Sequence, residues 1–132
     1  MNNISILGII DDDEIYCYLL KRVILQADFV QTAMFFENGQ VALDYITEFK
    51  DQSEKLPDLI LLDINMPILD GWQFMDEFVK ISPVIDKKIP VFITSSSIDD
   101  DDHTRAASIP EVSDFYTKPI NRAILREIVS KI

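Results

Sequence analysis

From one end of the chain to the other, short apolar runs alternate with stretches whose apolar residues recur at helical spacing, the rhythm of βα units wound around a parallel sheet. Ile4 to Ile10 is apolar and rich in β-branched residues, and it stops at Asp11-Asp12-Asp13. Glu14 to about Ala27 then places Ile15, Leu19, Val23 and their neighbours on one helical face. Phe29 to Phe36 reads as a second strand, Glu37-Asn38-Gly39 as a turn with glycine free to take a positive φ, and Val41 to about Phe49 as a helix. Asp51 to Pro57 lacks periodicity and reads as a solvated loop. Leu59-Ile60-Leu61-Leu62 is apolar without alternation, as expected of a central strand covered on both faces, and it ends at Asp63.

Turn signals at Asn65-Met66-Pro67 and Asp70-Gly71 lead to a helix over about Trp72 to Ile81, which Pro83 terminates. Pro90 to Thr94 is a fourth strand and Ser95 to Ser97 a polar loop; Asp99 to Asp102 open a helix to about Ser108, where their charge suits the macrodipole. About Asp114 to Thr117 is a short fifth strand before Lys118-Pro119. Asn121 caps a last helix with Ile124, Leu125, Ile128 and Ile132 facing inward. The pattern predicts an α/β fold, a doubly wound five-stranded parallel sheet, for which 2-1-3-4-5 is taken as the strand order. It predicts one domain over residues 1–132 with no output domain, since one helix consumes the residues after Lys118.

Composition narrows the function. With 132 residues, 48% of them apolar, the chain can bury its own core without a metal or disulfide staple. Twelve Lys+Arg against 23 Asp+Glu give a net charge of −11, which argues against direct binding to nucleic acid or anionic lipid. Cys17 has no second cysteine to pair with. No apolar run approaches the roughly 20 residues that span a bilayer, and Met-Asn-Asn-Ile lacks a basic leader region. The expectation is a soluble, cytoplasmic protein without membrane insertion.

Every strand but the second ends in a residue type that binds cations or phosphate: Asp11 and Asp12, Asp63, Thr94, Lys118. Ligands of open α/β sheets lie at these carboxyl ends, where the strand order reverses, here between the first and third strands. Crowded carboxylates repel by several kcal/mol, so Asp11, Asp12 and Asp63 call for a proton, a lysine or a cation. All-oxygen ligation favours Mg²⁺, and a chain with one His and one Cys excludes a structural zinc site. With its charge offset, an ionised Asp can attack a phosphoryl group, while Thr94 and Lys118 hold phosphate oxygens.

These residues match a family. The acidic pair, Leu59-Ile60-Leu61-Leu62-Asp63-Ile64-Asn65-Met66-Pro67 with Asp70-Gly71, Ile93-Thr94-Ser95 and Tyr116-Thr117-Lys118-Pro119 together resemble, in order and over essentially the whole chain, the response-regulator receiver domain of bacterial two-component systems. The resemblance implies a flavodoxin-like (βα)5 fold. It implies that Asp63 accepts a phosphoryl group and that Asp11, Asp12, Asp63 and the Asn65 backbone carbonyl hold Mg²⁺. Thr94 then resembles the switch hydroxyl, Lys118 the lysine of the phosphorylation site and Phe115 the rotating aromatic. The phosphoryl donor would be a phosphohistidine on a sensor histidine kinase or histidine phosphotransfer protein. Output would pass to a downstream protein through the face of helix four, strand five and helix five, in a signalling protein that catalyses only its own phosphorylation and dephosphorylation. Ile109-Pro110-Glu111-Val112-Ser113 departs from the family in lacking a Gly before strand five.

Other readings carry less. Asp13 with Glu14 reads as a helix cap and first-turn acid. Ser95 to Ser97 read as a solvated loop, since no Gly-x-Ser-x-Gly elbow is present and the only imidazole, His103, reads as an exposed helix residue. Asp99 to Asp102 lack EF-hand spacing, Trp72 reads as packing at a helix start, and Cys17 as a small apolar filler. A constitutive receiver-like interaction module without phosphorylation is the alternative, and it has no need of three crowded carboxylates. A phosphohydrolase fits less well, because Asp63-Ile64-Asn65 lacks the Asp-x-Asp arrangement that supplies a general acid.

Overall fold

Five strands take up the apolar runs and pair in parallel in the order β2-β1-β3-β4-β5 in the computed structural model, which describes residues 3–96 and 99–132. The elements are β1 (Ile4–Ile10), α1 (Glu14–Leu25), β2 (Val30–Phe36), α2 (Gly39–Glu48), β3 (Leu59–Asp63), α3 (Gly71–Ile81), β4 (Val91–Ser95), α4 (Asp100–Ala107), β5 (Val112–Thr117) and α5 (Arg122–Ser130). Ser97, read as part of a polar loop, lies outside the described residues, as do Met1, Asn2 and Ile98.

Strand periodicity divides the core. Leu59 and Leu61 of β3 point to one side with Leu7, Ile9, Leu20, Ile24, Phe92, Leu125 and Ile128. Ile60 and Leu62 point to the other with Ile10, Ile46, Phe74, Phe78 and Val91. A strand whose side chains are all buried must be apolar at every position, which is why β3 shows no alternation.

Four expectations change. On α1 the buried residues are Leu20 and Ile24, with Tyr16, Cys17 and Val23 packed beside them, whereas Ile15 and Leu19 are mostly exposed. The helix carries two adjoining apolar stripes, so its phase is set by the sheet and not by the pattern alone. Ser95 is no loop residue: it closes β4 and is fully buried. Ile132 lies beyond the end of α5 and is exposed; Val129 fills the inward position. Gly39 opens α2 and no described glycine has a positive φ; that conformation belongs to Ile68, at 70°.

Two features hold the loops that frame the strand ends. Asp70 and Gln73 form a reciprocal capping box at the start of α3. The next residue, Gly71, sits so close to the end of β3 that a Cβ would lie 2.6 Å from Ile64 Cα and 2.8 Å from the Asp63 carbonyl oxygen. At the opposite end of the sheet, Asp58 Oδ2 accepts hydrogen bonds from the Ser5 and Ile6 amides at 2.8 and 2.9 Å, and Asp58 Oδ1 lies 2.7 Å from Lys87 Nζ. Lys87 also donates to the Ser53 and Leu56 carbonyls. Burial alone would raise the Asp58 pKa, but Lys87 and the two amides outweigh it and hold the carboxyl below its ordinary range.

Gly71→Ala must push backbone apart and is expected to lower stability by about 1–3 kcal/mol, read from the urea midpoint. Asp58→Asn is expected to cost about 1–2 kcal/mol at neutral pH. Because the folded pKa is depressed, that stabilisation is complete above the ordinary carboxylate pKa, about 4, and disappears as pH falls through the folded value. The denaturation midpoints of the wild type and of the Asp58→Asn variant should therefore converge on acidification.

Candidate functional site

The carboxyl ends of β1 and β3 meet where successive crossovers diverge to opposite sides of the sheet, leaving a crevice. Asp11 follows β1 directly, and its amide is fixed by the Phe36 carbonyl at 3.0 Å. Its Oδ1 accepts from the Asp13 amide at 2.9 Å, and Asp13 in turn caps α1 by accepting from the Tyr16 amide at 3.0 Å. Asp63 is the last residue of β3 and stands in register with Thr94 of β4. Asp11 and Asp63 are buried and Asp12 is exposed, and one carboxylate oxygen from each comes within 4.8 Å of the others.

Lys118 reaches this cluster from the end of β5, its backbone amide held by the Ser95 carbonyl at 2.8 Å. Its Nζ lies 2.7 Å from Asp11 Oδ2 and 3.5 Å from Asp63 Oδ2, and 4.3 Å above the centre of the Tyr16 ring. One ammonium faces three carboxylates. At an effective dielectric of 20, each like-charged pair at 4 Å costs about 4 kcal/mol, so the lysine alone leaves the cluster over-charged. The strain registers on Asp63, whose pKa is raised to about 6 by burial first and by the Asp11 charge second, against the Asn65 amide and Lys118.

The donors fit a hard divalent ion. All are carboxylate oxygens, and the Asp11 Oδ2 contact with Lys118 is an ion pair without hydrogen-bond geometry, so that buried oxygen accepts no hydrogen bond. A cavity of about 440 Å³ opens beside Asp11 and Asp12, bounded by Cys17, Phe36, Asn38 and Pro67.

The remaining sequence candidates fall around this centre. The Asn65 amide donates to Asp63 Oδ1 at 3.2 Å, and its side-chain amide to Ser95 Oγ at 3.1 Å. Thr94 is buried. Phe115 of β5 is half-buried, and the His103 ring meets it edge-on with centroids 3.9 Å apart. Trp72, buried as expected, lies under the Arg105 guanidinium of α4 at 4.9 Å.

Sequence reasoning missed Tyr16, Ser95 and the His103 contact. The signal for Tyr16 was present, since a residue three places after an N-cap looks back over the first turn toward the strand end. Ser95 was hidden because a three-serine run has the composition of a loop.

The chain matches the response regulator receiver domain family over residues 7–130. A two component response regulator from Cytophaga hutchinsonii superposes with a TM-score of 0.88 at 28% identity, covering 98% of this chain and 96% of that one. The "probable methanogenesis regulatory protein FilR2" of Methanothrix harundinacea is 27% identical over 127 residues, 96% of this chain and 80% of that protein. A protein-glutamate methylesterase/protein-glutamine glutaminase of Treponema pallidum is 34% identical over 134 residues, 99% of this chain but only 30% of that protein. No helix among the described residues is long and apolar enough to cross a membrane. A sheet ordered β2-β1-β3-β4-β5, with carboxylates at the ends of β1 and β3 and a lysine after β5, thus agrees with family membership over nearly the full chain: this protein belongs to the response regulator receiver domain family, the phosphorylation-dependent switches of two-component signalling.

Proposed function

We propose that Asp63 is the phosphoryl acceptor of this receiver, that Asp11, Asp12, Asp63 and the Asn65 carbonyl hold Mg²⁺, and that Thr94 and Phe115 relay the modification to the face of α4, β5 and α5. The observation that carries this reading is the position of Lys118 Nζ between Asp11 and Asp63, 2.7 and 3.5 Å from their oxygens. Such an ammonium can follow charge from the carboxylate to a phosphoryl oxygen without leaving its seat.

In the reaction, an Asp63 carboxylate oxygen attacks phosphorus, the new O–P bond forms as the P–N bond of a phosphohistidine breaks, and the electron pair returns to the donor imidazole. The donor would be a sensor histidine kinase or a histidine phosphotransfer protein. A bound divalent cation supplies neutralisation of carboxylate and phosphoryl charge. Lys118 supplies a charge-assisted hydrogen bond to the transferred group, and Thr94, in register with Asp63, a neutral donor. Recruiting Thr94 draws on β4, while the Phe115 ring touches α4 through His103, so both elements bordering the output face sense the same event. Moving a two-state surface from 1:99 to 99:1 takes about 5.5 kcal/mol of differential stabilisation, within reach of a few new charge-assisted bonds. Signalling of this kind belongs in the cytoplasm, where the donor kinase domains reside, and a downstream protein would read the altered face.

Incubation with Mg²⁺ and acetyl phosphate is expected to add one phosphoryl mass to the wild-type chain and none to Asp63→Asn, read by intact mass spectrometry. An equal adduct on both would exclude Asp63. Mg²⁺ at 100 times its dissociation constant should stabilise the fold by about 2.7 kcal/mol, seen as a rise in melting temperature that EDTA reverses. Asp12→Ala should remove most of that rise while leaving the metal-free melting temperature at or above the wild-type value, because it relieves repulsion in the cluster.

A further inference from the structure

Lys118 is held on more than its acidic side. Its ammonium has three N–H donors, and while Asp11 and Asp63 take the side facing the crevice, the face of Tyr16 closes another, 4.3 Å from ring centre to Nζ. The ring belongs to α1, the lysine to the end of β5, and only 13% of the lysine side chain is exposed. Tyr16 is placed by the helix start itself, its amide being the donor that Asp13 caps. The phenol oxygen is buried and has no hydrogen-bond partner among the described residues. A buried hydroxyl without a partner is a liability, so it is the aromatic face that the site uses at this position.

We propose that Tyr16 is a positioning residue for the phosphorylation reaction: its ring seats the Lys118 ammonium by a cation–π contact and keeps it aimed at Asp11 and Asp63. The inference rests on the reading of Asp63 as acceptor, but the contact exists independently of it. A lysine on a four-carbon stem has many rotamers, and of the two carboxylates that attract it, Asp63 changes in charge once it is modified while Asp11 does not. The attraction of the ring, like that of Asp11, stays constant through that change, and it closes a side of the ammonium that Asp11 does not. It therefore keeps Lys118 within reach of the transferred group instead of letting it swing to solvent.

The test separates ring from hydroxyl and from bulk. Tyr16→Phe keeps the ring and removes the orphan oxygen; Tyr16→Leu keeps apolar volume and removes the ring. In Mg²⁺ and acetyl phosphate, Tyr16→Phe should be phosphorylated within about twofold of the wild-type rate and have a urea midpoint no lower than wild type. Tyr16→Leu should react about five- to thirtyfold more slowly, as expected for loss of a partly desolvated cation–π contact. The spectroscopic signature is the Lys118 ε-methylene proton resonance of the unphosphorylated protein. It should lie upfield of the other lysines in wild type and Tyr16→Phe through the ring current. In Tyr16→Leu it should rejoin them. Equal rates for Leu and wild type, or a Phe variant as slow as Leu, would overturn the proposal. So would an unshifted Lys118 resonance in the wild-type chain, a result that needs no variant to fold. A wild-type chain with a shifted resonance that gains no phosphate would instead refute the acceptor reading and, with it, the kinetic role of the ring, while leaving the contact established.

Discussion

Three carboxylates gathered at the rim of a sheet, with a single ammonium between them, are the constraint around which the molecule is arranged. Apolar burial would be satisfied by any well-packed sheet of this order, and it does not require Asp63 at the end of an otherwise apolar β3. Keeping a charged group there demands that β1 and β3 be neighbours, that β5 deliver a lysine across β4, and that α1 start at once after the acid pair. Each of those demands is met by a local device. Asp13 caps the helix, Gly71 lets α3 close onto the Asp63–Ile64 backbone, and the Ser95 carbonyl anchors the Lys118 amide. The raised pKa of Asp63 shows the same tension from the side of the proton.

Much of this was legible in the linear sequence, for physical reasons. β3 could be recognised as central because no polar residue interrupts it, and the clustering of Asp11, Asp12 and Asp63 with Lys118 because these residues stand at or just past strand ends that converge. Asp13 and Asn121 could be recognised as caps since their side chains compete for backbone amides at helix starts, and both do so in the structure. What stayed hidden depended on tertiary choice. Ile15-Leu19 and Tyr16-Leu20 are equally good apolar stripes, and only docking on the sheet selects the second. Ser95 has the composition of a loop, yet pairing with β5 carries β4 one residue further and buries it. A ring stacked on an ammonium from a residue a hundred positions away leaves no trace in periodicity at all.

The two sides of the sheet divide the labour. The core beneath α1 and α5 fixes the strands that carry Asp11 and Lys118, and the core beneath α2 and α3 fixes the strand that carries Asp63. Both cores share β3, so Asp63 sits on a strand whose residues are all buried, as are those of its neighbour β4. Packing is lighter at β5 and α4, where the third and smallest cluster gathers Ile64, Trp72, Ile93 and Ala106 around Phe115.

Helix α4 makes that asymmetry concrete. Of its eight residues only Ala106 is buried, and beyond that it is held by two ring contacts, Arg105 on Trp72 and His103 on Phe115. A segment with so little apolar area to lose has a low free energy of local opening, far below that of the whole domain. Its moorings can slip and re-form while the strands beneath stay in place, without melting the interior that supports it.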